Sequence, residues 1–146
     1  MLTIYVDGAC KGNNSAIDCP SGWGLVIEEN GKRVTRAYGH SPSSTNNQME
    51  MTAILEGLKR VPDESSVHII SDSRFALGAI AGLTGARGYR LKAEKVKAIQ
   101  TEIIRLAGDK GLTVSAGYVP GHSGHPGNEM ANNLAEMGAV HQVSSR

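Results

Sequence analysis

The chain has 146 residues, 40% of them hydrophobic and 20% charged. That suits one domain over residues 1–146 with a buried core, and it excludes a chain disordered by composition. Apolar runs such as Leu2–Val6 and Val67–Ile70 are far too short to cross a bilayer. No basic stretch followed by an apolar run opens the chain, so no secretory signal is expected. The only two cysteines, Cys10 and Cys19, fit neither a disulfide framework nor a zinc site. A pair of free thiols in a reducing cytoplasm is the expectation, with a Cys10–Cys19 disulfide as the alternative. The net charge of +1 makes no case for a polyanionic partner by itself. Its distribution is uneven, however. Arg87, Arg90, Lys92, Lys95 and Lys97 face one acid, Glu94, so the rest of the chain is net acidic. Such a basic segment can bind phosphate locally.

In chain order, Leu2–Val6 reads as a strand ending at Asp7-Gly8. A polar loop, Ala9 to Gly22, leads to a second strand, Trp23–Glu28. Asn30-Gly31 signals a tight hairpin, because both residues tolerate positive φ. The third strand runs from Lys32 to about Tyr38, which completes an antiparallel meander. Thr45 and Gln48 fit a capping box. Met51, Ile54, Leu55 and Leu58 then recur at helical spacing, with Glu50 offset from their stripe. Val67–Ile70 is a short strand ending at Ser71-Asp72. A short helix from about Ser73 to Ile80 is broken by Gly82, Gly85 and Gly88. Val96, Ile99, Ile103 and Leu106 mark a longer helix. Leu112–Val119 is the last strand, and a loop from Pro120 to Gly127 opens a final helix reaching about Val140. The order β-β-β-α-β-α-α-β-α implies an α/β fold with a mixed five-stranded sheet flanked by helices.

Asp7 and Asp72 each close an apolar strand. If those strands are parallel neighbours, both carboxylates emerge at the sheet edge where α/β folds bind ligands. Glu50, near the start of the intervening helix, can point into the same crevice. Crowded carboxylates repel one another unless cations neutralise them. Hard oxygen ligands suit Mg²⁺ or Mn²⁺, and two such ions about 4 Å apart suit phosphodiester hydrolysis. The same acids also fit helix caps and solvated loop positions, and spacing does not separate the two readings.

Four segments resemble the motifs of type 1 ribonuclease H, in family order. They are Tyr5-Val6-Asp7-Gly8-Ala9-Cys10-Lys11-Gly12-Asn13, Thr45-Asn46-Asn47-Gln48-Met49-Glu50, Ile70-Ser71-Asp72-Ser73, and Gly121-His122-Ser123-Gly124-His125-Pro126-Gly127-Asn128-Glu129. The resemblance implies the ribonuclease H-like fold and an endonuclease that cuts the RNA strand of RNA–DNA hybrids, leaving 5′-phosphate and 3′-hydroxyl ends. It implies Asp7, Glu50 and Asp72 as metal ligands, with two Mg²⁺ ions per site and Mn²⁺ as a substitute. His122 becomes a loop group that handles protons or product release. Cys10, Asn13, Thr45, Asn46 and Asn47 become contacts to the hybrid, with Thr45 on a DNA phosphate. Amides in particular suit ribose 2′-hydroxyls and minor-groove edges. Arg74 matches a polar contact to the same duplex. A monomer without an obligate protein partner is expected.

Three departures from the family pattern stand out. The family's fourth metal ligand is an aspartate in the final helix, and this chain has Asn132 there. An amide offers one neutral oxygen, so weaker metal binding and reduced or absent turnover are expected. The isosteric exchange favours a replaced acid over a native amide. A native amide would instead suit a non-cleaving module that binds hybrid or double-stranded RNA. The loop after Asn13, residues 14–20, is longer than usual. Finally, Arg87 and Arg90 stand in a basic stretch that matches a shorter, less aromatic version of a handle gripping the DNA strand. It equally suits the solvated face of a helix.

Overall fold

The computed structural model of the chain describes residues 1–10, 19–84, 94–121 and 123–144. Five strands, β1 (Leu2–Cys10), β2 (Cys19–Glu29), β3 (Lys32–Ser44), β4 (Ser66–Ser71) and β5 (Thr113–Tyr118), form one sheet. The strand order is β3-β2-β1-β4-β5. The meander is present: β1 pairs antiparallel with β2, and β2 with β3. Asn30 and Gly31 close the second hairpin with φ of 53° and 81°. β4 runs parallel to β1, with Leu2 opposite Val67 and Tyr5 opposite Ile70, and β5 runs parallel to β4.

The helices are α1 (Asn46–Lys59), α2 (Arg74–Ala79), α3 (Ala81–Thr84), α4 (Glu94–Lys110) and α5 (Pro126–Ser144). Gly82, expected to break the helix, instead lies inside the short helix α3, while Gly85 and Gly88 fall outside the described residues. The break comes at Ile80, the C-cap of α2. No described helix is long and apolar enough to cross a membrane.

Alternation along the strands splits the core in two. Ile4, Val6, Leu25, Ile27 and Ile69 point to one face and pack with Met51, Ile54 and Leu58 of α1 and Ile103 of α4. All nine are 0–2% exposed. The helical stripe read from the sequence is therefore the one buried. Tyr5 and Val26 point to the other face and pack against Ala131 and Leu134 of α5.

α5 lies unusually close to the sheet, and glycines make that approach feasible. A Cβ on Gly24 would sit 2.4 Å from the Ala131 carbonyl oxygen, and one on Gly22 would sit 2.1 Å from that of Ala135. Such distances leave no room for a side chain. The backbone of α5 therefore rests on β2, and this sets the height of every α5 side chain above the sheet.

The cysteines correct the sequence reading. Cys10 is disulfide-bonded, and no described cysteine is free. The physical reason is the length of the strands. β1 runs on to Cys10, β2 begins at Cys19, and Cys10 pairs with Ser21 across the ladder. The two cysteine-bearing strand ends are thus neighbours in space.

Candidate active site

Asp7 sits near the carboxyl end of β1 and is 3% exposed. Its Oδ1 accepts the Gly8 amide at 2.9 Å. Asp72 directly follows β4, the parallel neighbour of β1. Ser71 and Ser73 fix the turn there. The Ser73 amide donates to Ser71 Oγ at 3.0 Å, and Ser73 Oγ caps α2 by accepting the Ala76 amide at 3.0 Å. Gly121, in the loop after β5, lies against Asp72: a Cβ on it would be 3.0 Å from Asp72 Oδ2.

Glu50 arrives from α1. Thr45 is the N-cap, accepting the Gln48 amide at 3.3 Å as the capping pattern predicts. The Gln48 side chain turns to Ser44 Oγ. This start sets the rotation of α1, which carries Glu50 over Gly8. A Cβ on Gly8 would lie 2.7 Å from the Glu50 amide nitrogen, so only glycine lets the helix come so near β1.

Three carboxylates thereby converge. Asp7, Glu50 and Asp72 each offer an oxygen within 4.8 Å of the others. Burial, then the charge of Asp7, a hydrogen bond with Asp7 and the charge of Asp72 push the Glu50 carboxyl well above its usual range. A backbone bond from Gly8 opposes the shift. Glu50 Oε2 is buried without a hydrogen-bond partner. A buried orphan oxygen beside two like charges is costly by itself. A hard divalent cation would relieve both the repulsion and the unmet acceptor, so these residues fit a metal of the Mg²⁺ class.

Asn132 also reaches the cluster, from α5. Its Nδ2 donates to Asp7 Oδ2 at 2.8 Å. The donor end of the amide thus faces Asp7, and both Asp7 oxygens are engaged by protein N–H groups. A charge-assisted bond of this kind holds the carboxylate at a fixed angle.

The proposed duplex contacts divide. Thr45, Asn46 and Asn47 cluster where α1 begins, with Asn47 exposed and Asn46 Oδ1 buried without a partner. Cys10 ends β1 at the same side of the sheet. Arg74 opens α2, exposed, two residues after Asp72. Asn13, Arg87, Arg90 and His122 lie outside the described residues, as do residues 14–18 of the long loop.

Sequence reasoning missed three contributors. Gly22 and Gly24 determine how near α5, and so Asn132, comes to Asp7. Their alternation around Trp23 was the available signal, since paired glycines in a strand mark a close backbone approach. Tyr118, at the end of β5, meets Arg74 and had no sequence signal.

The match to known proteins covers nearly the whole chain. The RNase H family model matches residues 1–140. A curated relative from Cupriavidus necator, named Ribonuclease H, is 38% identical over 143 residues, covering 94% of each chain. Among solved structures, a type 1 RNase H with the type 2 active-site motif, LC9-RNase H1, superposes with a TM-score of 0.78 at 26% identity. That match covers 97% of this chain and 72% of the other. LC11-RNase H1, solved in complex with an RNA/DNA hybrid, shares the fold at a TM-score of 0.75 and 19% identity, over 94% of this chain and 98% of its own. The mixed five-stranded sheet flanked by helices matches the fold of these ribonuclease H structures. The chain belongs to the ribonuclease H family.

Proposed function

We propose that residues 1–146 act as one domain, a divalent-metal-dependent endonuclease that hydrolyses the RNA strand of RNA–DNA hybrids. The products carry 5′-phosphate and 3′-hydroxyl ends. The observation that carries this reading is the convergence of Asp7, Glu50 and Asp72 within 4.8 Å. The hybrid bound to LC11-RNase H1 supports the choice of duplex.

Bound metal, Mg²⁺ or Mn²⁺, supplies Lewis acidity toward water and the departing oxygen. The protein does the rest. Asp7, Glu50 and Asp72 would hold the cations, and Asn132 orients Asp7. Thr45, Asn46 and Asn47 dock the duplex at the start of α1, where 2′-hydroxyls distinguish RNA from DNA. Asn13, Cys10 and Arg74 add contacts, Arg87 and Arg90 grip the DNA strand, and His122 moves a proton at the reacting oxygen. The site works as a monomer.

The test is cleavage of an end-labelled hybrid with and without Mg²⁺. Cutting should need the metal, and Asp72→Asn should abolish it while leaving the fold intact, because one repelling charge is removed. Equal rates in excess chelator, or a cleaving Asp72→Asn variant, would refute the reading. Double-stranded RNA cut as fast as hybrid would refute the duplex preference.

Asn132 favours a second reading. With an amide at this place, turnover falls, and in the limit the chain binds hybrid without cutting it. Asn132→Asp discriminates the two. A gain in Mg²⁺-dependent cleavage identifies an enzyme with a weakened site. Persistent hybrid binding without cleavage in the Asp variant identifies a binding module.

A further inference from the structure

Tyr118 ends β5 directly opposite Ser71, one residue before Asp72. The Val119 amide donates to the Ser71 carbonyl at 3.1 Å, which fixes the strand end beside the carboxylate crevice. Tyr118 is 42% exposed, and the Arg74 guanidinium carbon stands 4.3 Å from its ring centroid. Arg74 itself is exposed and opens α2.

Two features of this contact matter chemically. A guanidinium laid on a ring uses its face, so its N–H donors remain free at its edge for a phosphate fork. A long arginine at the surface otherwise samples many rotamers, and ordering it on binding weakens affinity. The ring removes much of that freedom beforehand. The three acids make the crevice repel a polyanion, so a cation held at its rim offsets that repulsion where a phosphate must approach.

We propose that Tyr118 is a positioning residue for substrate: it pre-sets Arg74 to clasp a backbone phosphate of the bound duplex next to the carboxylate site. The proposal rests on the hybrid-nuclease reading above and adds the residue that orients its rim cation.

The experiment is a double-mutant cycle on hybrid affinity and kinetics. Arg74→Ala, Tyr118→Leu and the double variant are compared with the parent chain in Mg²⁺, with Ca²⁺ in place of Mg²⁺ for binding. Tyr118→Leu should raise Kd and KM about 2–5-fold, the strength of an exposed cation–ring contact, with kcat little changed. Tyr118→Phe should restore parental values, because the ring and not the hydroxyl does the holding. In the Arg74→Ala background, Tyr118→Leu should add no further loss. Arg74→Ala should also shallow the salt dependence of binding by about one phosphate contact. A purely structural Tyr118 would shift melting temperature and leave Kd and KM alone, and that result overturns the proposal. Full additivity of the two losses overturns it as well. A parent chain that binds no hybrid brings down the functional reading and this one together; normal binding with a neutral Tyr118→Leu removes only this one.

Discussion

Gly24→Ala is a small change with a large expected effect. The added Cβ would stand 2.4 Å from the Ala131 carbonyl oxygen, 2.6 Å from the Ala135 amide nitrogen and 2.8 Å from the Leu134 Cβ. Ordinary contact begins near 3.4 Å, so α5 must withdraw from β2 by about 1 Å. Asn132 follows Ala131 in that helix. Its 2.8 Å bond to Asp7 would then stretch beyond hydrogen-bonding range. Overpacking costs about 1–3 kcal/mol, and losing a bond to a buried carboxylate costs about another 1–3 kcal/mol. At roughly 2–4 °C per kcal/mol for a chain of this size, the melting temperature should fall by about 4–24 °C. Calorimetry checks the first effect, and hybrid cleavage at a temperature where the variant is still folded checks the second. Gly108→Ala is the control: a Cβ there meets nothing within 4 Å inside α4. It should stabilise the protein by about 0.5–1 kcal/mol, since alanine is the better helix former. If Gly24→Ala melts within a degree of the parent and cuts equally well, the glycine seam does not set the site.

With metal removed, Glu50 binds its proton more tightly folded than unfolded, mainly through burial and the charge of Asp7. Stability should therefore fall as pH rises from the ordinary carboxylate range through the raised folded value. Glu50→Gln should flatten that decline; identical pH profiles of melting temperature for both chains would defeat the argument. Lys110 Nζ donates to the carbonyls of Leu58 at 2.8 Å, Lys59 at 3.3 Å and Val61 at 2.5 Å. Lys110→Met should lower stability by about 2–3 kcal/mol in urea titration without changing cleavage, whereas an unchanged midpoint would mean water replaces the ammonium freely. Replacing Arg87, Arg90 and Lys92 together with Ala should weaken hybrid binding and flatten its salt slope. A slope equal to the parent's would make that stretch a solvated face only.

Much of the site was legible because its acids follow patterns that local physics enforces. Asp7 and Asp72 end apolar strands, and the crossover helix between those strands makes them parallel neighbours. Thr45 announced the start of α1, and the stripe from Met51 to Leu58 fixed which side of it would be buried. Strand ends were less legible. β1 continues through Asp7-Gly8-Ala9-Cys10, where no apolar alternation remains, because the register opposite Ser21–Gly24 supplies the hydrogen bonds. β3 runs through Pro42, which an edge strand tolerates. Contacts between distant segments were not legible at all. Which end of the Asn132 amide meets Asp7, how near α5 lies to Gly24, and the Arg74–Tyr118 stack all depend on tertiary packing.

α1 places Glu50 at one end of a rod whose flank carries Met51, Ile54 and Leu58 into the deepest packing of the molecule. Asp7 likewise belongs to a strand walled in by Ile4 and Val6. Neither acid can wander without dragging the interior with it. On heating, cation-holding capacity and global structure should vanish in one cooperative event, with no earlier loosening of the pair.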